Sequence, residues 1–157
     1  MNINTLEKEN EDSKRISALH FIDALLNKTG IKLMNADVVS KEGINKKGYF
    51  PFYNIIVIQK CPQICRTNGL QPIDEYIFKL LGYFVEFKIT ELGFSNSTFK
   101  ISVLKLGAAY ICDLFNIPNL STSERSELQK QIGNDFYTKK LIPACDDLIK
   151  LVEIIEK

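Results

Sequence analysis

Cys61 and Cys65, with Pro-Gln-Ile between them, stand at a spacing that invites a metal. Zinc asks for four ligands, commonly supplied as two tight pairs. The chain offers this one pair, two further cysteines at Cys112 and Cys145, and a single distant histidine, His20. Cys112 and Cys145 fall inside apolar runs, where a thiol behaves as a small hydrophobe. The four cysteines therefore read as reduced thiols with structural roles, and no metal or cofactor is expected. As nucleophiles they lack a neighbouring cationic or basic partner, which leaves thiol pKa values ordinary or raised. Asp146-Asp147 resembles a carboxylate pair, but adjacent residues on a helix point about 100° apart and cannot share one proton. His20 lies beside an apolar stripe and reads as a partly buried core residue, there being no carboxylate-plus-nucleophile set around it. The chain has no phosphate-cradling glycine loop, Gly-x-Ser-x-Gly elbow or paired His-Glu metal motif. Enzyme chemistry is not expected.

The elements that would position these side chains come from one domain. Hydrophobic residues make up 45% and charged residues 25% of the 157, enough for a globular chain to bury a core of its own. Net charge is +1, and the basic residues are scattered, which argues against a general grip on nucleic acid. No apolar run approaches the roughly 20 residues that span a bilayer. The opening MNINTLEKENEDSKR is too polar for a signal peptide or an anchor. These features predict an intracellular protein, cytoplasmic or nuclear, with neither nucleic acid nor membrane as partner.

Residues 1–15 read as a flexible polar tail. Ile16, Leu19, His20, Ile22, Ala24, Leu25 and Leu26 predict a first helix, which Gly30 can stop. Val38 to Gly48 reads as a linker, so residues 16–48 form an N-terminal helix and its tether. Tyr49 to Gln59 is ambiguous: its β-branched residues favour a strand, and a short buried helix fits as well. With no strand partner in sight, helix is the expectation. Pro72 opens the clearest helix, from Ile73 to about Glu91, with Asp74 and Glu75 in its first turn, where the dipole favours negative charge. Gly93 stops it, and Ser95, Ser97 or Thr98 can cap the next, which runs to about Phe115. Ser121 or Ser123 starts a polar helix through Gln131, closed by Gly133, and Ser121 and Glu124 have the spacing of a capping box. A last helix from about Asp135 to Ile155 contains Pro143, which must shorten or kink it. The fold class is all-α.

One segment of that plan is unusual. FKISVLKLGAAYICDLF, Phe99 to Phe115, is apolar nearly all round yet carries Gly107-Ala108-Ala109 at its middle. Small side chains let a neighbouring helix approach closely, toward the lower end of the usual 8–10 Å. This predicts the central helix of a bundle, with the others wrapped round it.

The order of these segments resembles the second helical box of the cyclins. LLGYFVEFKITEL looks like the second helix of that box, with Tyr83, Phe84, Glu86 and Phe87 at matching positions. Leu106-Gly107-Ala108-Ala109-Tyr110-Ile111-Cys112 resembles the family's alanine-rich central helix. Leu141-Ile142-Pro143-Ala144-Cys145-Asp146-Asp147-Leu148 resembles the start of its final helix, with the cysteine one place late. Tyr49 to Gln59 would be the first helix. The proline-serine pair that opens the family's central helix is absent, and Asp113 stands where a small residue is common. The first cyclin box has no counterpart, because only one helix and a linker precede Tyr49. The residues that hold a kinase belong to that missing half and are not carried over. The resemblance implies a cyclin-like five-helix box over residues 49–157, preceded by an extra N-terminal helix.

Function follows as a non-catalytic regulatory binding module that docks a protein partner. A cyclin-dependent-type protein kinase is what the resemblance implies. The alternative is an unrelated all-α interaction domain with no kinase partner. Tyr49, Phe50, Phe52 and Tyr53 are the candidate protein-binding residues, since they follow a linker and aromatics concentrate at interface hot spots. The competing possibility, that these rings roof the core beneath a loop, stays open beside it.

Overall fold

A helix whose acidic residues are matched by neighbouring cations can be largely buried, and one such helix organises this chain. The computed structural model describes residues 3–36, 47–59, 71–91 and 97–155, with side chains described for these except at 3–12, 91, 97–98 and 153–155. In order they form α1 (Ile3–Thr29), β1 (Lys32–Asn35), β2 (Gly48–Phe50), β3 (Ile55–Ile58), α2 (Pro72–Glu91), α3 (Ser97–Leu114) and α4 (Thr122–Ile132). A short α5 (Asn134–Phe136), a π-turn (Tyr137–Leu141) and α6 (Ile142–Ile155) complete the chain. The architecture is mainly helical, with one small sheet. Most of the expected linker, the Cys61/Cys65 pair, Gly93 and Ser95 lie outside the described residues.

α2 packs against α1, β2, α3 and α6. None of residues 72–90 is exposed. Its apolar stripe of Ile77, Leu80, Leu81, Phe84, Val85 and Ile89 is buried, and its acids are buried in company. Asp74, 1% exposed, receives both arms of Arg15 from α1, at 2.9 and 3.0 Å. Glu75 pairs with Lys79 one turn on, at 3.2 Å, and Glu86 with Lys100 of α3, at 2.6 Å. Burying a carboxylate is tolerable only with such partners. α3, expected at the centre, exposes Ile101, Lys105, Asp113 and Leu114. The more fully buried helix is thus α2. Uniform hydrophobicity pointed to α3, whereas ion pairing let the more polar helix take the interior.

The Gly-Ala-Ala step does mark a close approach. A methyl group added at Gly107 would stand 2.7 and 2.9 Å from the two Val85 methyls of α2 and 3.2 Å from Leu141 Cδ1. The Cys145 thiol of α6 lies 3.7 Å from the Gly107 carbonyl oxygen. Three segments therefore converge where α3 has no side chain.

Two corrections concern α1. The helix extends back to Ile3, so the polar stretch read as a tail is helical, and Arg15 at its supposed end is a core-pairing residue. The buried stripe is Ala18, Phe21, Ile22 and Leu25, at the i, i+3, i+4, i+7 spacing of one helix face. Ile16 and His20, one turn apart on another face, are exposed. His20 is not a core residue.

The later elements follow the local rules. Ser121 and Glu124 form the capping box of α4, with the Glu124 N–H donating to Ser121 Oγ at 3.2 Å and the Ser121 N–H to Glu124 Oε1 at 3.3 Å. Gly133, at φ 87°, closes the helix. Arg125 lays both arms on Asp113, tying α4 to the end of α3 and holding the Asp113 carboxyl below its ordinary range. Pro143 has no N–H and would crowd the carbonyl four residues before it. The π-turn over Tyr137–Leu141, closed by the Ile142 N–H on the Tyr137 oxygen, falls immediately before it. The expected interruption takes this form.

Gly107 and Gly82 make opposite predictions. Gly107→Ala should overpack the junction and cost about 1–3 kcal/mol in denaturant unfolding. At Gly82 an added methyl meets only ordinary contacts, 3.7 Å from the Leu104 oxygen and 3.9 Å from Ala108 Cβ. Gly82→Ala should therefore be neutral or stabilise by up to about 1 kcal/mol through helix propensity. Equal unfolding midpoints for the two variants would be inconsistent with this packing.

Candidate protein-docking site

The helix expected over Tyr49–Gln59 is a β-hairpin. Ile55-Ile56-Val57-Ile58 forms the middle strand β3, parallel to β1 and antiparallel to β2. Its four residues are all buried, so they lack the alternation that would announce a strand. Its partners carried no signal either: β1 is Lys-Leu-Met-Asn, without a β-branched residue, and β2 has three residues.

The pleat sends the aromatic cluster in different directions. Tyr49, paired with Ile56, faces the helices and meets Phe87 of α2 edge to face, ring centres 5.6 Å apart. Phe50, paired with Ile55, lies on the opposite face, packed against Ile55 and Val57 together with Met34 and Ala36. Phe52 and Tyr53 occupy the turn. They are 91% and 66% exposed and meet edge to face, with centres 5.0 Å apart. Two of the four candidate rings thus serve the fold, and two form an aromatic knuckle in solvent.

Asn54 holds the knuckle in place. It sits at φ 53°, a conformation asparagine tolerates better than most residues, and its N–H donates to the Pro51 oxygen at 3.3 Å. Its side-chain Nδ2 donates to the Thr29 carbonyl at the end of α1, at 3.4 Å. Oδ1 accepts the Tyr49 hydroxyl at 3.2 Å. Its own carbonyl accepts the Lys32 N–H at 3.2 Å. One residue therefore binds the turn to α1, β1 and β2. The α1 terminus is closed in the same place: Gly30, at φ 73°, donates its N–H to Leu26, and the Thr29 hydroxyl donates to the Leu25 oxygen. Asn54 was missed as a site residue. Its signal was the Pro51-x-x-Asn54 turn pattern ahead of a β-branched run.

Beside the knuckle runs an open groove of about 350 Å³, lined by Gly30, Lys32, Met34, Tyr53, Asn54 and Ile55.

Among the described residues, the groups capable of chemistry are not assembled. Cys112 and Cys145 are free and buried, and burial, aided by neighbouring Asp113 and Asp146, pushes each thiol up to about 12. Asp146 accepts the Tyr110 hydroxyl at 2.7 Å, a bond that pushes the phenol up to about 12. Asp147 is exposed. Among the described residues no group of three or more His, Cys, Asp or Glu could hold a metal ion. Among them, too, no helix is long and apolar enough to cross a membrane.

Known proteins offer no shortcut to a function: no family model matches the chain, nor does any curated protein or solved structure.

Replacing Asn54 by Ala should destabilise the chain by about 1–3 kcal/mol, from lost hydrogen bonds and left-handed backbone strain. Gly at the same position should recover only the backbone part, so a denaturant series that ranked Gly level with Asn would discount the side-chain bonds. The thiols give a second check. Iodoacetamide should leave Cys112 and Cys145 unmodified in the folded chain and label both once guanidinium unfolds it. Native labelling of either, seen by mass spectrometry of the peptides, would contradict its burial.

Proposed function

We propose that this chain is a non-catalytic docking module that holds a protein partner on the Phe52–Tyr53 knuckle. The observation that carries the proposal is the pairing of two large exposed rings with a rigidly tethered turn. Exposed aromatics in contact with each other offer apolar area to a partner, and a turn already ordered by Asn54 loses little further entropy on binding. A non-catalytic role is supported by the way four of the described acids and both described thiols are taken up. Asp74, Glu75, Glu86 and Asp113 are engaged by Arg or Lys, and the two thiols by burial.

A protein kinase as the partner is the narrower form of the proposal. Its support is the order of motifs along α2, α3, α4 and α6, which resembles the second cyclin box. Against a regular box stand the strand at Ile55–Ile58 in place of its first helix and the exposed residues of α3. The module without a kinase partner is the reading that the sheet favours.

The experiment is purification of the tagged full chain from its native cells, with mass spectrometry of what accompanies it. Wild type is compared with the double variant Phe52→Ala/Tyr53→Ala and with Ile101→Ala, which alters an exposed residue on α3. The expected result is a stoichiometric protein present with wild type and Ile101→Ala and reduced at least about tenfold with the double variant, the scale of a hot-spot loss. A kinase in that place selects the cyclin-like form. A set of partners indifferent to the knuckle, with the variant melting like wild type, refutes the proposal.

A further inference from the structure

We infer that the groove beside the knuckle receives an acidic, apolar, extended segment of the partner; the inference rests on the docking role proposed above. Three features point to that occupant. The first is lining chemistry. Met34, Tyr53 and Ile55 give the groove apolar walls, Gly30 contributes no side chain, and Met adapts its shape to different occupants. At about 350 Å³ and open to solvent, it suits a few side chains of a passing chain better than a cofactor, most of whose surface such sites bury.

The second feature is charge. Lys32 is the one charged residue among the described residues of the lining, and Lys28 stands in the last turn of α1 just before it. Both are exposed, and neither pairs with a carboxylate among the described residues, although five other cations there do. A helix C-terminus ordinarily disfavours an anion nearby. Here the Leu25, Leu26 and Thr29 carbonyls are already taken by the Thr29 hydroxyl, the Gly30 N–H and Asn54. Among the described residues around the groove the unpaired charge is that of Lys28 and Lys32, which favours carboxylates in the occupant over lysine and arginine.

The third feature is direction. Lys32 and Met34 alternate along β1 on the same face as their partners Ile55 and Val57. An extended segment repeats its side chains every second residue. Laid along β1, it can place an apolar side chain against Met34 and Ile55 while its acidic residue meets Lys32. Phe52 and Tyr53 then flank one end of the same track.

The test uses a phage-displayed library of random dodecapeptides selected on the full-length chain, followed by fluorescence anisotropy of the enriched peptides. Enrichment of sequences combining Asp or Glu with aromatic or aliphatic residues is expected. Their binding should weaken about tenfold or more with Lys32→Glu, less with Lys32→Gln, and should fall as salt is raised. Circular dichroism and thermal melts of each variant establish that it is folded. Neutral or basic peptides, or binding indifferent to Lys32→Glu, would overturn the acidic-segment inference. If those same peptides are lost with Phe52→Ala/Tyr53→Ala, the docking role itself survives. Peptides indifferent to both changes, or no enrichment at all, would overturn the inference and count against the docking role.

Discussion

The close approach of α3 to α2 at Gly107 sets the geometry on which the rest of the chain depends. Val85 of α2 and Leu141 of the π-turn fill the space where a side chain would stand, and Cys145 reaches the Gly107 carbonyl. A glycine within a helix costs about 0.5–1 kcal/mol relative to alanine, so the packing it permits has to offset that. The return is shared by three segments, because the same vacancy admits α2, the π-turn and α6 together. Leu141 and Cys145, four residues apart and so on one helical face, reach that junction from the last residue of the irregular turn and the first turn of α6.

Burying α2 creates a second constraint, since its carboxylates go inside with it. Asp74, Glu75 and Glu86 are each matched by a cation. The pairs do not make burial favourable by themselves, because desolvation offsets most of their attraction. Their effect is on alternatives: a packing that separated Asp74 from Arg15 would leave a buried charge uncompensated, at about 3–5 kcal/mol. The α1–α2 register is thus fixed by an ion pair, and the apolar stripe of α1 follows from it.

Much of the helical plan was legible because it depends on local chemistry. The start of α2, the end of α3, the capping box at Ser121 and Glu124, the stop at Gly133 and the irregularity before Pro143 all arise within a few residues of their cause. What failed was non-local. Ile55–Ile58 gave a strand propensity without alternation, and its partners β1 and β2 lay in segments with no strand signature. Enclosure was assigned to α3 because its composition is apolar, although the burial of α2 depends on Arg15 and Lys100 from other helices. His20 and Ile16 were placed inward because an apolar stripe can be drawn through several phases of a helix. Of the aromatic cluster, residue type was readable and direction was not. The pleat that turns Tyr49 inward and the turn that lifts Phe52 and Tyr53 outward come from the sheet.

The same sheet explains how an exposed knuckle can remain fixed. An isolated two-stranded hairpin is marginal in water, and two rings at its tip would add apolar area to solvent without return. Here β3 is held on both sides, Tyr49 anchors β2 to Phe87, and Asn54 joins the turn to the end of α1. The stiffness of the site is borrowed from the helical core through Tyr49 and Asn54, whose contacts reach α2 and α1 respectively. Those helices are locked to each other by Arg15 and Asp74. A partner gripping Phe52 and Tyr53 would therefore pull against the whole α1–α2 unit. That connection lets a short turn present two large rings in one arrangement, which depends on the buried residues beneath them as much as on the turn itself.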